Sequence, residues 1–100
     1  MKIPNKLNIM GRTYRVEYDE KGLSDNDDVG KYDEQAGVIY ISKGFKELPR
    51  CMDSVEQNFL HEVVHGMCWQ LGYNQLYNDE KFVEQFSGLL HQIIPQLEDK

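Results

Sequence analysis

A chain of 100 residues, 40% of them hydrophobic, has enough apolar material for one core and too little for a second domain. Its formal net charge is −6 and its basic residues are scattered, which argues against nucleic acid or an anionic membrane as the main partner. The sequence shows neither an apolar run of membrane-spanning length nor a signal-peptide core, so we expect one cytoplasmic domain over residues 1–100.

The N-terminal part predicts strands. Two strand-like runs, 7–10 and 13–18, flank Gly11-Arg12, and a two-residue connection with glycine first is typical of a tight hairpin turn. The acidic stretch 19–30 predicts a loop. A calcium loop is the alternative there, although the D-x-D-x-D-G spacing and the distal Glu are missing.

The strongest strand signal follows this stretch, because four consecutive residues are β-branched or aromatic. They are Val38, Ile39, Tyr40 and Ile41. The next segment, 45–52, is ambiguous, since Pro49 disfavours a long helix there.

A first helix is predicted from Asp53-Ser54 to a glycine stop at Gly72. Ser54 with Gln57 has the form of a capping box, and Asp53 is the rival cap. Apolar residues recur at helical spacing along one face. They are Phe59, Leu60, Val63, Val64, Met67 and Leu71.

After a connector at 73–77, a second helix is predicted with Asn78 or Asp79 as its cap, and Pro95 should end or kink it. Its apolar positions are Phe82, Val83, Phe86, Leu89, Leu90, Ile93 and Ile94. Strands followed by helices predict an α+β fold, in which a small antiparallel sheet of about three strands packs on two helices.

The first helix carries the pattern H-E-x-x-H, from His61 through Glu62 to His65. Residues four apart on a helix lie one above the other, so two imidazoles can hold one metal ion. Glu62 emerges beside them, where it can act as the general base on a metal-activated water. The pattern therefore predicts a zinc site with hydrolytic chemistry.

Catalytic zinc takes three protein ligands, and the second helix offers carboxylates for the third. We predict Glu80 as the ligand and Glu84 as a carboxylate that supports a ligand histidine, with Glu84 as the alternative third ligand. His91 is predicted to lie too far away to bind the metal, although it can orient a carboxylate.

Other nearby residues have two interpretations each. Cys68 can approach the metal from the next turn, but a small buried residue is the simpler interpretation. Trp69, Tyr73 and Tyr77 can wall a substrate cleft or serve only in packing. Cys51 and Cys68 are predicted to be free thiols, with a disulfide as the alternative.

The pattern from His61 to His65, followed by Glu80 and Glu84 in E-x-x-x-E form, resembles the zincin metallopeptidases with a glutamate third ligand. In many of those, an acidic residue four positions after the ligand Glu supports a histidine, which matches Glu80 and Glu84. In the aminopeptidase branch the spacing instead favours Glu84, since eighteen residues separate it from His65. The small size resembles minimal zincins of phages and mobile elements, related to ImmA/IrrE-type and SprT-like domains.

This resemblance implies a phage-type zinc metallopeptidase in the host cytosol, acting on a protein or peptide substrate, with a regulatory partner protein as a further expectation. It also implies that the strand Val38 to Ile41 offers an exposed edge to an extended peptide. Two alternatives remain: an inactive zincin-like domain that binds metal and serves as a protein-interaction module, and a metal-free domain in which the motif is a coincidence.

Overall fold

The computed structural model describes residues 1–98, which form a four-stranded sheet, two long helices and short flanking elements. The sheet contains β1 (Lys6–Ile9), β2 (Arg12–Tyr18), β3 (Gly30–Asp33) and β4 (Val38–Ile41), with α1 (Glu20–Asp25) between β2 and β3. A small hairpin of β5 (Gly44–Phe45) and β6 (Leu48–Pro49) follows. The C-terminal half consists of α2 (Met52–Leu71), α3 (Asn74–Tyr77) and α4 (Glu80–Glu98).

The fold is α+β, as predicted, but the sheet is mixed rather than wholly antiparallel. Its strand order is β1-β2-β4-β3, with β2 and β4 parallel and the other two pairs antiparallel. The predicted loop at 19–30 instead contains α1 and the first residue of β3. The prediction missed β3 because Gly-Lys-Tyr-Asp has one buried residue, Tyr32, and no run of β-branched residues.

The predicted hairpin between β1 and β2 exists, but its turn lies one residue earlier than expected. Ile9 pairs with Arg12, so the turn residues are Met10 and Gly11, with φ values of 50° and 88°. Two consecutive positive φ values match the twist of a two-residue hairpin, and glycine adopts the second without strain.

The strand predicted to offer a free edge is paired on both sides. β4, which comprises Val38, Ile39, Tyr40 and Ile41, lies between β2 and β3. Its backbone hydrogen-bonding groups are already used by these neighbours, so the prediction that it accepts a peptide along its edge is wrong. Within residues 1–98, the sheet edges belong to β1 and β3.

The helix ends follow the predicted signals only in part. α2 begins at Met52 after Cys51, with no side-chain cap hydrogen bond, so the predicted capping box at Ser54 is wrong. Gly72 ends α2 in the left-handed conformation, as predicted. Of the two predicted caps of α4, Asp79 accepts a hydrogen bond from the Phe82 N–H at 3.0 Å.

α4 does not end at Pro95 but continues to Glu98. Proline removes one backbone donor, and three residues before the end of a helix this loss affects a single turn. None of the helices in residues 1–98 combines the length and apolar character needed to cross a membrane.

α2 is the central element, since it contacts both the sheet and α4. Its sheet-facing residues share one apolar core with the inner face of the strands. This core comprises Ile9, Tyr14, Val16, Tyr32, Ile39, Ile41, Val55, Phe59, Leu60 and Val63. A smaller cluster of Val64, Cys68 and Val83 joins α2 to α4. The histidines of α2 lie next to this second contact, where they meet Glu80 and Glu84 of α4.

Gly66 allows the helix to approach the sheet closely. A Cβ at this position would lie 2.9 Å from Cε1 of Tyr32 and 3.1 Å from Cδ1 of Ile9. The hydroxyl of Tyr32 lies 2.8 Å from that of Tyr14, which helps to fix the ring. Because Gly66 leaves room for the ring of Tyr32 against α2, Tyr32 lines the same cleft as His65.

Candidate metal centre

The two motif histidines lie side by side on α2. The ring centroids of His61 and His65 are 4.9 Å apart, and their side chains are 15% and 12% exposed. This placement follows from the four-residue spacing, which puts both rings on one side of the helix. Both rings point out of the core toward the start of α4, where Glu80 lies.

Glu80 brings a carboxylate to both rings. Its Oε2 lies 3.1 Å from Nε2 of His61, and its Oε1 lies 3.1 Å from Nε2 of His65. One potential ligand atom from each of the three residues lies within 4.8 Å of the others. Glu80 reaches this position because α3 makes the connection from α2 compact and Asp79 caps the first turn of α4.

Glu84 contacts the opposite side of the first ring. Its Oε1 lies 3.0 Å from Nδ1 of His61, one helical turn beyond Glu80. The two nitrogens of His61 therefore face two different carboxylates. A ligand histidine commonly donates its second N–H to a carboxylate in this manner, which sets the tautomer. The division of roles between Glu80 and Glu84 stays a prediction that fits this arrangement.

The second histidine has a different environment. Nδ1 of His65 is buried without a well-formed hydrogen bond among the described residues, although the backbone of Tyr77 is close enough to favour a proton on the ring. Burial lowers the pKa of His65 below its ordinary value, and the charge of Glu80 opposes this shift. A neutral imidazole is the form that binds a metal.

Glu62 is buried beside the two histidines, with 7% of its surface exposed. Burial raises the pKa of Glu62 to about 7; the charge of His61 opposes this, and Glu80 and Asp28 add to it. Its carboxylate fits because residue 30 is glycine, since a Cβ there would lie 2.9 Å from Oε2 of Glu62. The sequence places this carboxyl group where it can exchange a proton near neutral pH.

These residues line one open cleft. The lining comprises Asp28, Gly30, Tyr32, His61, Glu62, His65, Tyr77, Asn78 and Glu80. Sequence reasoning missed Asp28, Gly30 and Tyr32, because they belong to or precede the unpredicted strand β3. For Asn78 the sequence predicts only a role as a helix cap.

The free edge of β3 forms one wall of the cleft. The carbonyl of Val29 accepts a hydrogen bond from the N–H of Ser42 at 3.2 Å, so these two residues form a hydrogen-bonded pair next to the antiparallel strands β3 and β4. Such pairs recur at every second residue, so Lys31 and Asp33 also bond to β4. The backbone N–H and C=O groups of Gly30 and Tyr32 therefore point away from β4, toward the free edge.

Of the three aromatic residues predicted either to wall a cleft or to pack, Tyr77 does both. Its ring lies 5.0 Å from that of His65 and 5.4 Å from that of Trp69, measured between centroids. Burial raises the pKa of Tyr77 above its ordinary value, and the charges of Glu62 and Glu80 add to this. Trp69 packs against the ring of Tyr77 but does not line the cleft. Tyr73 is exposed outside the cleft.

His91 lies away from the cleft, as predicted. It does not contact Glu80 or Glu84; its Nε2 lies 3.1 Å from Oε1 of Glu56. Asp53, Glu56 and His91 also bring potential ligand atoms within 4.8 Å of one another. In this group, the contact between Glu56 and His91 joins α2 to α4, which accounts for their proximity without a metal ion.

The cysteines are free, as predicted. Cys51 is exposed before α2, whereas Cys68 is buried against Val64 and Val83. Cys68 is absent from the group of potential ligands around His65.

Comparison of the chain with models of protein families, with curated proteins and with solved structures finds no match. The geometry of the cleft is therefore the basis for any functional conclusion.

Proposed function

We propose that this protein is a zinc-dependent metallopeptidase of minimal size. The observation that carries the proposal is the convergence of His61, His65 and Glu80 beside the buried carboxyl group of Glu62. Two imidazoles and one carboxylate with an adjacent acid–base group form the donor set of a hydrolytic zinc site. The resemblance of the motif to zincins with a glutamate third ligand supports the same conclusion.

The chemistry of the donors fits zinc. Imidazole nitrogen and carboxylate oxygen suit this ion, and hydrolytic zinc sites use three protein ligands. When bound, zinc supplies a Lewis acid that acidifies a water molecule and polarises a carbonyl group. In our proposal His61, His65 and Glu80 hold the ion, and Glu84 orients the ring of His61 through Nδ1.

In our proposal Glu62 is the general base that transfers a proton from the attacking water to the leaving amine. A general base works best when its pKa lies near the working pH, and burial raises the pKa of Glu62 to about 7 in the protein without metal. Its carboxylate takes a proton from the attacking water and returns it to the nitrogen of the leaving amine. The glycine at position 30 keeps this carboxylate accessible from the cleft.

The edge of β3 replaces β4 as the proposed peptide-binding strand. An extended peptide that pairs with an exposed strand edge obtains main-chain hydrogen bonds without any requirement on its sequence. The outward-facing groups of Gly30 and the carbonyl of Tyr32 offer such bonds next to Glu62, whereas the N–H of Tyr32 is directed to the Glu62 carboxylate. This arrangement would hold a substrate backbone across the cleft.

The first experiment measures zinc in purified protein by elemental analysis. We expect close to one equivalent of zinc in wild type and its loss in His61→Ala and His65→Ala. His91→Ala is the matched control, because it removes a histidine outside the proposed site and should keep the metal. Wild-type protein without affinity for zinc would leave only the metal-free interpretation.

The second experiment compares wild type with Glu62→Gln in a proteomic search for cleavage products. Glu62→Gln should retain zinc and lose cleavage, because the amide cannot accept the proton. Equal cleavage by the two proteins would remove Glu62 from the mechanism. Zinc in both without any cleavage would favour the inactive metal-binding domain.

A further inference from the structure

The walls of the cleft carry negative charge on opposite sides. Glu80 and Glu84 approach from α4, and Asp28 lies across the cleft, two residues before β3. Lysine and arginine are absent from the described residues that line it. Apart from the proposed zinc ion, which Glu80 would hold, a ligand that enters the cleft therefore meets carboxylates and no basic side chain of the lining.

Asp28 is the acidic residue of its segment that lines the cleft, and its carboxylate has no hydrogen-bond or ion-pair partner among residues 1–98. The carboxylate of Asp19 accepts a hydrogen bond from Gly22, and that of Asp27 pairs with Lys46 at 3.0 Å. The backbone of Asp28 is held, since its N–H donates to the carbonyl of Leu23 at 2.8 Å. The backbone of Asp28 is therefore anchored beside the cleft, and its exposed carboxylate is close enough for its charge to act on Glu62.

Asp28 also borders a second hollow, which lies between α1 and the outer face of the sheet. This hollow is lined by Asp19, Gly22, Leu23, Asn26, Asp28, Lys31, Asp33 and Tyr40. Successive side chains of an extended peptide point to opposite faces of a sheet. A peptide paired along the edge of β3 would thus direct side chains toward both hollows, with Asp28 between them.

We infer that the cleft selects peptides with a lysine or arginine close to the bond to be cleaved, and that Asp28 determines this preference. The inference rests on the proposed peptidase function. The unpaired carboxylate of Asp28 supplies the ion-pair partner. The cleft lining has no basic side chain that competes for it, and Lys31, which shares the second hollow with Asp28, forms no ion pair with it.

The test measures binding rather than cleavage. Zinc-loaded Glu62→Gln is titrated with fluorescent extended peptides that carry a central Lys, Gln or Glu in an otherwise identical neutral sequence. We expect the Lys peptide to bind about three- to fivefold more tightly than the Gln peptide, as for an exposed ion pair. The Glu peptide should bind most weakly, and the differences should shrink with added salt.

The decisive comparison adds Asp28→Asn and its matched control Asp25→Asn. Both remove one negative charge from the same exposed segment, but only Asp28 lines the cleft. We expect Asp28→Asn to abolish the preference and Asp25→Asn to preserve it. Equal binding of the three peptides, no binding of any, or a preference that survives Asp28→Asn would overturn the inference. An Asp28-dependent preference in a protein whose wild type cleaves nothing would support the inference and refute the peptidase.

Discussion

Nδ1 of His61 lies 3.0 Å from Oε1 of Glu84, on the side of the ring opposite Glu80. A carboxylate in this position fixes the tautomer in which Nε2 is free to bind a metal. Glu80 and Glu84 of α4 thus contact different nitrogens of the same imidazole ring. This difference gives the first prediction.

Glu80→Gln should weaken zinc binding much more than Glu84→Gln. Loss of a carboxylate that only supports a ligand histidine costs about 10- to 100-fold in metal affinity, and we expect Glu80→Gln to exceed this range. Competition titration with a chelator of known affinity measures both. Glu56→Gln, which alters the partner of His91, should leave the affinity unchanged. The reverse order of effects would make Glu84 the third ligand.

The metal-free protein should lose stability as pH rises from about 4.5 to about 7 through the titration of Glu62. The folded-state pKa of Glu62 is about 7 against an ordinary value of 4.5, so the folded state binds more protons in this window. The free energy of unfolding then decreases as pH rises, by up to about 3 kcal/mol from this one group.

Denaturant titrations in a chelating buffer across this pH range measure the effect, with Glu62→Gln as the reference. The other titratable groups are the same in both proteins, so the difference between the two curves reports mainly the contribution of Glu62. A constant difference across the range would contradict the prediction.

Gly66→Ala should destabilise the fold by about 1–3 kcal/mol, because the added methyl group overpacks the contact between α2 and β3. The Cβ would meet Tyr32 at 2.9 Å, and the ring cannot withdraw without disturbing its bond to Tyr14. Thermal or chemical denaturation measures the change.

Gly88→Ala is the control for helix propensity. A Cβ there would meet only Gln57, at 3.6 Å, which is an ordinary contact. This variant should gain about 0.5–1 kcal/mol, since alanine is the better helix former. Stabilisation by both substitutions would show that the approach of α2 to the sheet is not tight.

Cys51 should react with iodoacetamide well before Cys68. Hydrogen bonds from Ser54 lower the pKa of Cys51, whereas burial raises the pKa of Cys68. The thiolate is the reactive form, so Cys51 has more of it at any pH near neutrality, as well as better access. Mass spectrometry of partly alkylated protein measures the order, and Ser54→Ala should slow the reaction of Cys51. Equal rates for the two thiols would contradict this account.

Features set by local signals were more predictable than features set by long-range pairing. Gly72 as the end of α2 and the hairpin between β1 and β2 follow from local signals, because glycine conformation and hydrophobic period act within a few residues. The position of β3 depends on pairing with β4, and its own residues carry no strand signal. The parallel pairing of β2 and β4 is likewise a long-range contact that local patterns do not encode.

The candidate site likewise combines residues that local signals predict with residues that only long-range contacts bring there. The contact of His61 and His65 with Glu80 follows from helical spacing and one short connection. Asp28, Gly30 and Tyr32 face the same cleft only because β3 lies at the sheet edge beside α2. A glycine that makes room for a carboxylate from another element leaves no trace in the sequence around it.

The proposed ligands have one consequence for how the chain folds. His61 and Glu80 are 19 positions apart in sequence, so joining them closes only a short loop and costs little chain entropy. The parallel pairing of β2 with β4 joins residues such as Arg15 and Val38, so its loop is only slightly longer and costs nearly the same chain entropy. Loop length therefore does not decide which half of the chain forms first. A cation bound by both helices would instead stabilise their contact without requiring the sheet.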